Sequence, residues 1–265
     1  MDYIVDLRHV HVARGSNIVL HDLTLKINAG EHLAILGPNG CGKSTLLKTI
    51  TCEVYPLIRP ETSVRIMGRE RWDLTQLKRR MGVVETNLLG KQSLSTKGFD
   101  AVLTGFFSSS TLWPNLVVTS QMRELAEGIL ILVGADGLRN TLVGQMSDGQ
   151  QRRIMIGRAI AGTMSTDGDN VQMLLLDEPS NTLDLGAQHD LREMLRGLAQ
   201  KGMAILLITH HIADILPEID RIVMMREGRI VADGSKLELL TEQRLSDLFG
   251  REIAITGRGG YWNAW

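Results

Sequence analysis

The chain is short of cysteine, of aromatic side chains and of any charge excess, and each shortage closes off a class of protein. Only Cys41 and Cys52 occur among 265 residues. They stand eleven residues apart with no Cys/His cluster around them, so neither a disulfide framework nor a zinc site is supported and both thiols read as inert. A net charge of −1 lacks the basic excess of a protein held by nucleic-acid phosphates, so no direct nucleic-acid partner is expected. Apolar runs such as ILILV at Ile129–Val133 are far shorter than a bilayer span requires. The opening MDYIVDLRHV has no basic region followed by an apolar one, hence no secretory signal, and a cytoplasmic chain is expected. No internal repeat or low-complexity tract is present, which points to a single functional unit. Aromatics make up only 4 %, so the two places where they gather, FFSSSTLW and YWNAW, stand out.

What is present describes an ordered globular chain. Hydrophobic residues at 43 % and charged residues at 22 % are usual proportions, and the length suffices for one large domain or two lobes around a sizeable core. Residues 2 to 36 alternate apolar and polar in short runs broken at Arg14-Gly15-Ser16-Asn17 and Asn28-Ala29-Gly30, the pattern of strands joined by turns. From His32 the run HLAILG is continuously apolar, the type buried in a parallel sheet. A glycine-rich turn and a helical STLLKTITCEV follow. VQMLLLD (171 to 177) and MAILLITH (203 to 210) are two more such strands, with the helical GAQHDLREMLRGLAQ between them. Strands alternating with helices predict a parallel sheet. IVMMREGRIVADG predicts a hairpin at Glu227-Gly228, KLELLTEQRLSDLFG a terminal amphipathic helix, and the stretch from about 89 to 160 an inserted helical lobe.

Three stretches carry chemistry. GPNGCGKST, Gly37 to Thr45, matches the phosphate-binding loop and sits where that motif must, after a buried strand and before a helix. Its glycines allow backbone N–H groups to turn onto phosphate oxygens; Lys43 reaches the β and γ oxygens, and Ser44 offers a hydroxyl to Mg2+. MLLLDE ends a buried strand on Asp177 and Glu178, a magnesium ligand and a carboxylate able to polarise water. In QMSDGQQRR, Ser147 and Gln150 form a capping box at the start of a helix whose free N–H groups suit an anion. By itself that stretch supports a well-capped helix or an anion site.

GPNGCGKST, MSDGQ, LLLDEPS, SNTLD and ITHH occur in this order, and over about residues 3 to 250 the chain resembles the nucleotide-binding subunits of ATP-binding cassette proteins. The resemblance implies an ATPase with ATP and Mg2+ as cofactors, working as a cassette dimer, a homodimer or a pair with a related subunit. It implies integral membrane permease subunits as partners and a place on the cytoplasmic face of the cell membrane. It also implies roles. Gly37, Pro38, Asn39, Gly40, Cys41, Gly42, Lys43, Ser44 and Thr45 would hold the phosphates, and Ser44 with Asp177 the metal. Glu178 would be the general base, His210 the γ-phosphate switch in preference to His211, and Asp184 the link between the two sites. Ser147, Gly149 and Gln150 would face the ATP of the other subunit. The implied fold class is α/β: a P-loop NTPase core with a parallel sheet, an N-terminal antiparallel β subdomain and an inserted α-helical subdomain. The expected boundaries are 1–88 and 161–235 for the core, 89–160 for the helical lobe, and 236–265 for a terminal helix and tail.

The chain departs from that family at four places. Asp148 replaces the first glycine of the signature pair, and its charge opposes an incoming γ-phosphate. Arg14-Gly15 stands where many cassettes carry an adenine-stacking aromatic; a guanidinium plane stacks too, so Arg14 is the candidate. The glutamine usual near GVVETN is absent, with Glu85, Thr86 and Asn87 around its place, which leaves slow hydrolysis or an ATP-dependent clamp as readings. Thirty positions separate Ser147 from Asp177, more than is usual, and the polar GTMSTDGDN reads as the extra surface loop. Within the family, GEHLAILGPNG, VRIMGRE and GFFSSSTLWP are similar to a branch assigned to molybdenum or metal-chelate import. A soluble cassette ATPase acting on nucleic acid, ribosomes or a regulatory complex is the second functional class. Phe106, Phe107 and Trp113 read either as lobe core or as anchors for a permease helix.

Overall fold

The alternating N-terminal pattern folds into two long strands, β1 (Tyr3–Arg14) and β2 (Asn17–Asn28), turned on Gly15 at φ +61°. The computed structural model describes residues 3–84, 93–164 and 173–265. In chain order β3 (Leu33–Leu36), α1 (Lys43–Ile50), β4 (Ser63–Ile66), α2 (Leu74–Lys78) and β5 (Met81–Val84) follow. Next come α3 (Gly98–Leu103), α4 (Ser120–Leu132), α5 (Asp148–Thr163), β6 (Met173–Asp177), α6 (Leu185–Gln200) and β7 (Ala204–Thr209). The chain closes with β8 (Arg221–Arg226), β9 (Arg229–Ser235), α7 (Lys236–Leu239), α8 (Glu242–Phe249), β10 (Ile255–Arg258) and β11 (Tyr261–Ala264).

Contacts divide the chain into two units, Met1–Leu74 with Ala204–Trp265, and Thr75–Met203. In the first, β1 pairs antiparallel with both β2 and β4. Beside that sheet lies a second, in the order β7-β3-β8-β9. There β3 runs parallel to β7 and β8, as uninterrupted apolar strands do, and every residue of β3 and β7 is buried. The exposed, alternating β9 closes the edge antiparallel to β8, with its turn at Glu227-Gly228 as expected. Arg221 ties this edge down, donating from Nε and Nη2 to Asp233 at 2.7 Å and from Nη1 to Glu31 at 2.9 Å.

In the second unit β5 and β6 pair in parallel, and α3, α4 and α5 pack into a helical cluster around Val102, Ile129, Val133 and Ile154. Two glycines set how closely that cluster closes. A Cβ at Gly105 would overlap the Arg158 carbonyl of α5, and one at Gly98 would lie 2.5 Å from the Leu138 carbonyl.

The structure corrects one expectation about the C-terminus and gives the tail a structure. The single terminal helix is two short ones, because Ser235 and Thr241 each cap their own helix start, accepting from the N–H groups of Glu238 and Arg244 at 3.3 Å. The aromatic tail is a hairpin, β10 against β11, turning on Gly259 and Gly260, both at positive φ.

Candidate functional site

Each unit carries part of the predicted site. In the first, buried β3 delivers the chain into the glycine loop, where Gly40 and Gly42 adopt φ +77° and +104°, a conformation that favours residues without Cβ. Lys43 folds back over this loop, its Nζ donating to the Gly37 carbonyl at 2.7 Å and the Pro38 carbonyl at 3.1 Å. Its stem is buried while Ser44 beside it is exposed. The start of α1 carries no side-chain cap and no acidic residue in its first turn. By contrast α5 and α6 both have side-chain caps. A helix start with no side-chain cap, a positive dipole and an adjoining ammonium suits an anion.

The loop is braced from below. Gly228 N–H donates to the Cys41 carbonyl at 2.9 Å and its own carbonyl accepts from His21 N–H at 2.9 Å, so the β8–β9 turn joins β2 to the loop. The Cys41 thiol is turned inward and buried; a Cβ on Gly37 would lie 2.9 Å from its Sγ and overlap the Met225 carbonyl. Sequence reading identified Glu227-Gly228 only as a turn and missed this role. On the other side, a Cβ at Gly42 would lie 2.9 Å from Leu20 Cδ2, which sets the start of β2 against the loop. Exposed Arg14 pairs across the hairpin with Asn17 at that same end.

His210 follows β7 in the same unit. Thr209 Oγ1 donates to buried Asp214 at 2.7 Å and accepts from His211 N–H at 2.9 Å, so the turn after the strand is pinned. The two histidine rings stand 3.8 Å apart. His210 is half-buried and lines a cavity of about 500 Å3 together with Pro38 and Asn39 of the loop.

The second unit assembles Asp177, Glu178, Asp184 and the signature residues. Asp177 and Glu178 are both 8 % exposed at the end of the fully buried β6. Glu178 sits at φ +49°, left-handed and non-glycine, with its carbonyl accepting from Asn181 N–H at 3.2 Å. Glycine at this position would relax the backbone, so Glu178→Gly is expected to raise stability by about 1 kcal/mol while removing the carboxylate. A thermal melt checks this; an unchanged or lower midpoint means the side chain's own contacts outweigh the strain. Asp184 caps α6, accepting from Ala187 N–H at 2.8 Å.

The capping box of α5 forms as the sequence predicts. Ser147 Oγ accepts from Gln150 N–H at 3.3 Å and Gln150 Oε1 accepts from Ser147 N–H at 3.0 Å. The Ser147 hydroxyl keeps its own hydrogen to donate. Gly149 is where α5 meets α6, its Cβ position 3.1 Å from that of Ala187. Arg153 locks the arrangement, donating to the carbonyls of Val133 and Gly134 at the end of α4 and to Asp190 of α6 at 3.1 Å. Its part was not foreseen, since those partners are far away in sequence. Asp148 is exposed at the first turn, one helical turn before buried Arg152; burial draws the Arg152 pKa down and the Asp148 charge opposes that shift. Glu85, Thr86 and Asn87, and residues 165–170 of GTMSTDGDN, lie outside the described residues.

The family model for the ABC transporter matches residues 20–181. The chain belongs to the ABC transporter family. It is 30 % identical over 262 residues to the hemin import ATP-binding protein HmuV of Plesiomonas shigelloides, covering 94 % of this chain and 95 % of that one. HmuV of Photobacterium damselae subsp. damselae is 29 % identical over 249 residues, 93 % and 89 % of the two chains. Among solved structures, MJ1267, an ATP-binding cassette of an ABC transporter in its ADP conformation, superposes with a TM-score of 0.78 at 24 % identity over 94 % of this chain and 98 % of that one. The cbiO1 protein of Clostridium perfringens, part of the transporter complex cbiONQ, gives 0.75 at 22 % over 93 % and 94 %. The expected α/β fold of the P-loop NTPases is therefore the fold of this chain, which is an ATP-hydrolysing ABC transporter subunit. The reading as a soluble cassette outside transport is not favoured by these relatives.

Proposed function

We propose that the chain binds Mg-ATP on the α1 loop and hydrolyses it between two copies of itself, driving a separate permease. The observation that carries this is the bare start of α1, where uncapped N–H groups, Ser44 and Lys43 meet with no acidic side chain in the first turn. Each phosphate loop would face the Ser147, Gly149 and Gln150 of the second copy, on the helical lobe at 89–160. Asp184 would relate the two sites, and the Arg14 guanidinium would stack on the base. Ser44 and Asp177 suit magnesium, a hard cation that keeps several waters and phosphate oxygens, and among the described residues no group of three or more His, Cys, Asp or Glu forms a protein cage instead. Bound with ATP, that ion would supply charge neutralisation for the phosphates. Glu178 would take the proton of the attacking water, and His210 would hold the γ-phosphate from the loop side.

No helix among the described residues is long and apolar enough to cross a membrane. Permease subunits would supply the spans, with this chain peripheral on the cytoplasmic face. Exposed Trp113, seven residues after the buried Phe106, suits a permease helix as an anchor. Hemin import by the relatives and the metal-chelate resemblance together favour a metal chelate as cargo.

The deciding experiment traps Glu178→Gln with ATP in native membranes, extracts it in mild detergent and identifies what remains bound. Recovery of a stoichiometric protein with several hydrophobic spans is expected. Recovery only in soluble form, with ribosomal or nucleic-acid partners, overturns the transport reading. In the same trapped background, Asp148→Gly is expected to lower the ATP concentration for dimerisation about two- to fivefold, by removing a carboxylate from the phosphate-facing helix start. An unchanged midpoint would show that Arg152 already offsets that charge.

A further inference from the structure

The C-terminal hairpin is built against the histidine turn. Its strands are held in register and closed by reciprocal bonds between Ala254 and Trp265, at 3.0 and 3.1 Å. Its root is tied to α8, where Ser246 Oγ accepts from Ile253 N–H at 3.0 Å, and α8 is tied to β8 through Arg226 Nη1 on the Asp247 carbonyl at 2.6 Å. Its tip rests on Pro217: a Cβ at Gly260 would lie 2.9 Å from Pro217 Cβ, so only glycine fits the approach. Between root and tip, β11 packs on the turn at 212–214. Asn263 and Trp265 thereby form one wall of the 500 Å3 cavity that His210, His211 and the loop tip Pro38-Asn39 also line.

We propose that this hairpin is a positioning element for His210. The strand before the histidine is rigid and buried, while His210 and His211 lie beyond it, in a turn pinned by the Thr209–Asp214 bond and packed on one side by β11. A hydrolytic contact misplaced by a fraction of an ångström is weakened while the phosphate loop still binds its ligand. The hairpin therefore sets turnover and leaves nucleotide affinity alone. This inference rests on the ATP-site reading above.

Two variants of the full chain test it. Gly260→Val pushes the tip off Pro217, and the double change Asn263→Ala with Trp265→Ala removes two cavity-lining side chains while keeping the backbone pairing. In both, kcat is expected to fall about tenfold, with the dissociation constant for a fluorescent ATP analogue within about twofold of wild type. Turnover within about twofold of wild type in both variants overturns the inference, and so does a loss of binding in step with turnover, the mark of a general brace. A wild-type chain that binds no ATP overturns the site reading itself before any variant is compared.

Discussion

Glu178→Gln is expected to lower ATP turnover by about 10²- to 10⁴-fold with nucleotide binding retained, the range by which a positioned general base accelerates a reaction. The carboxylate is 8 % exposed at the end of β6, where β6 and the turn closed by the Asn181–Glu178 bond fix its backbone. An amide has the same shape but takes no proton, so the change isolates the proton transfer. Phosphate release at saturating ATP, set beside equilibrium binding of a fluorescent analogue, separates the two quantities. Turnover within a few-fold of wild type would assign water activation elsewhere. Background hydrolysis equal in wild type and mutant would support the ATP-dependent clamp.

The second large effect belongs to a residue with no chemistry of its own. Gly228→Ala is expected to destabilise the fold by about 3 kcal/mol or more and to weaken nucleotide binding with it. Two costs combine. The position has φ +74°, and a Cβ there would overlap the Val19 carbonyl oxygen while lying 2.8 Å from the His21 ring. Any relaxation shifts the N–H that holds the Cys41 carbonyl, and with it the underside of the phosphate loop. Gly30→Ala is the control. Its φ is +75° with nothing within 4 Å of the added carbon, so it should cost only about 1 kcal/mol of backbone strain. Denaturant melts of both variants give the comparison, and equal costs would mean that β2 yields freely to the added methyl.

Features were legible in the sequence where their determinants lie within a few residues. The phosphate loop is one glycine-rich turn between a strand and a helix, and the capping box of α5 spans Ser147 to Gln150. The short unbroken apolar runs form the buried strands β3, β6 and β7, a position in the sheet that hides every side chain of such a run. The terminal helix was misjudged because the apolar spacing of KLELLTEQRL continues through Thr241, where a competing cap stops it.

The sequence by itself determined the family, the nucleotide chemistry and the residues to examine, because those depend on short motifs with fixed internal spacing. Only the tertiary structure decided what holds these residues in place. Gly228 under Cys41, Arg153 across three helices, the left-handed Glu178 and the C-terminal hairpin against His210 depend on the close approach of segments distant in the chain, or on backbone angles imposed from outside. No local propensity encodes such contacts; they exist only once the core has closed.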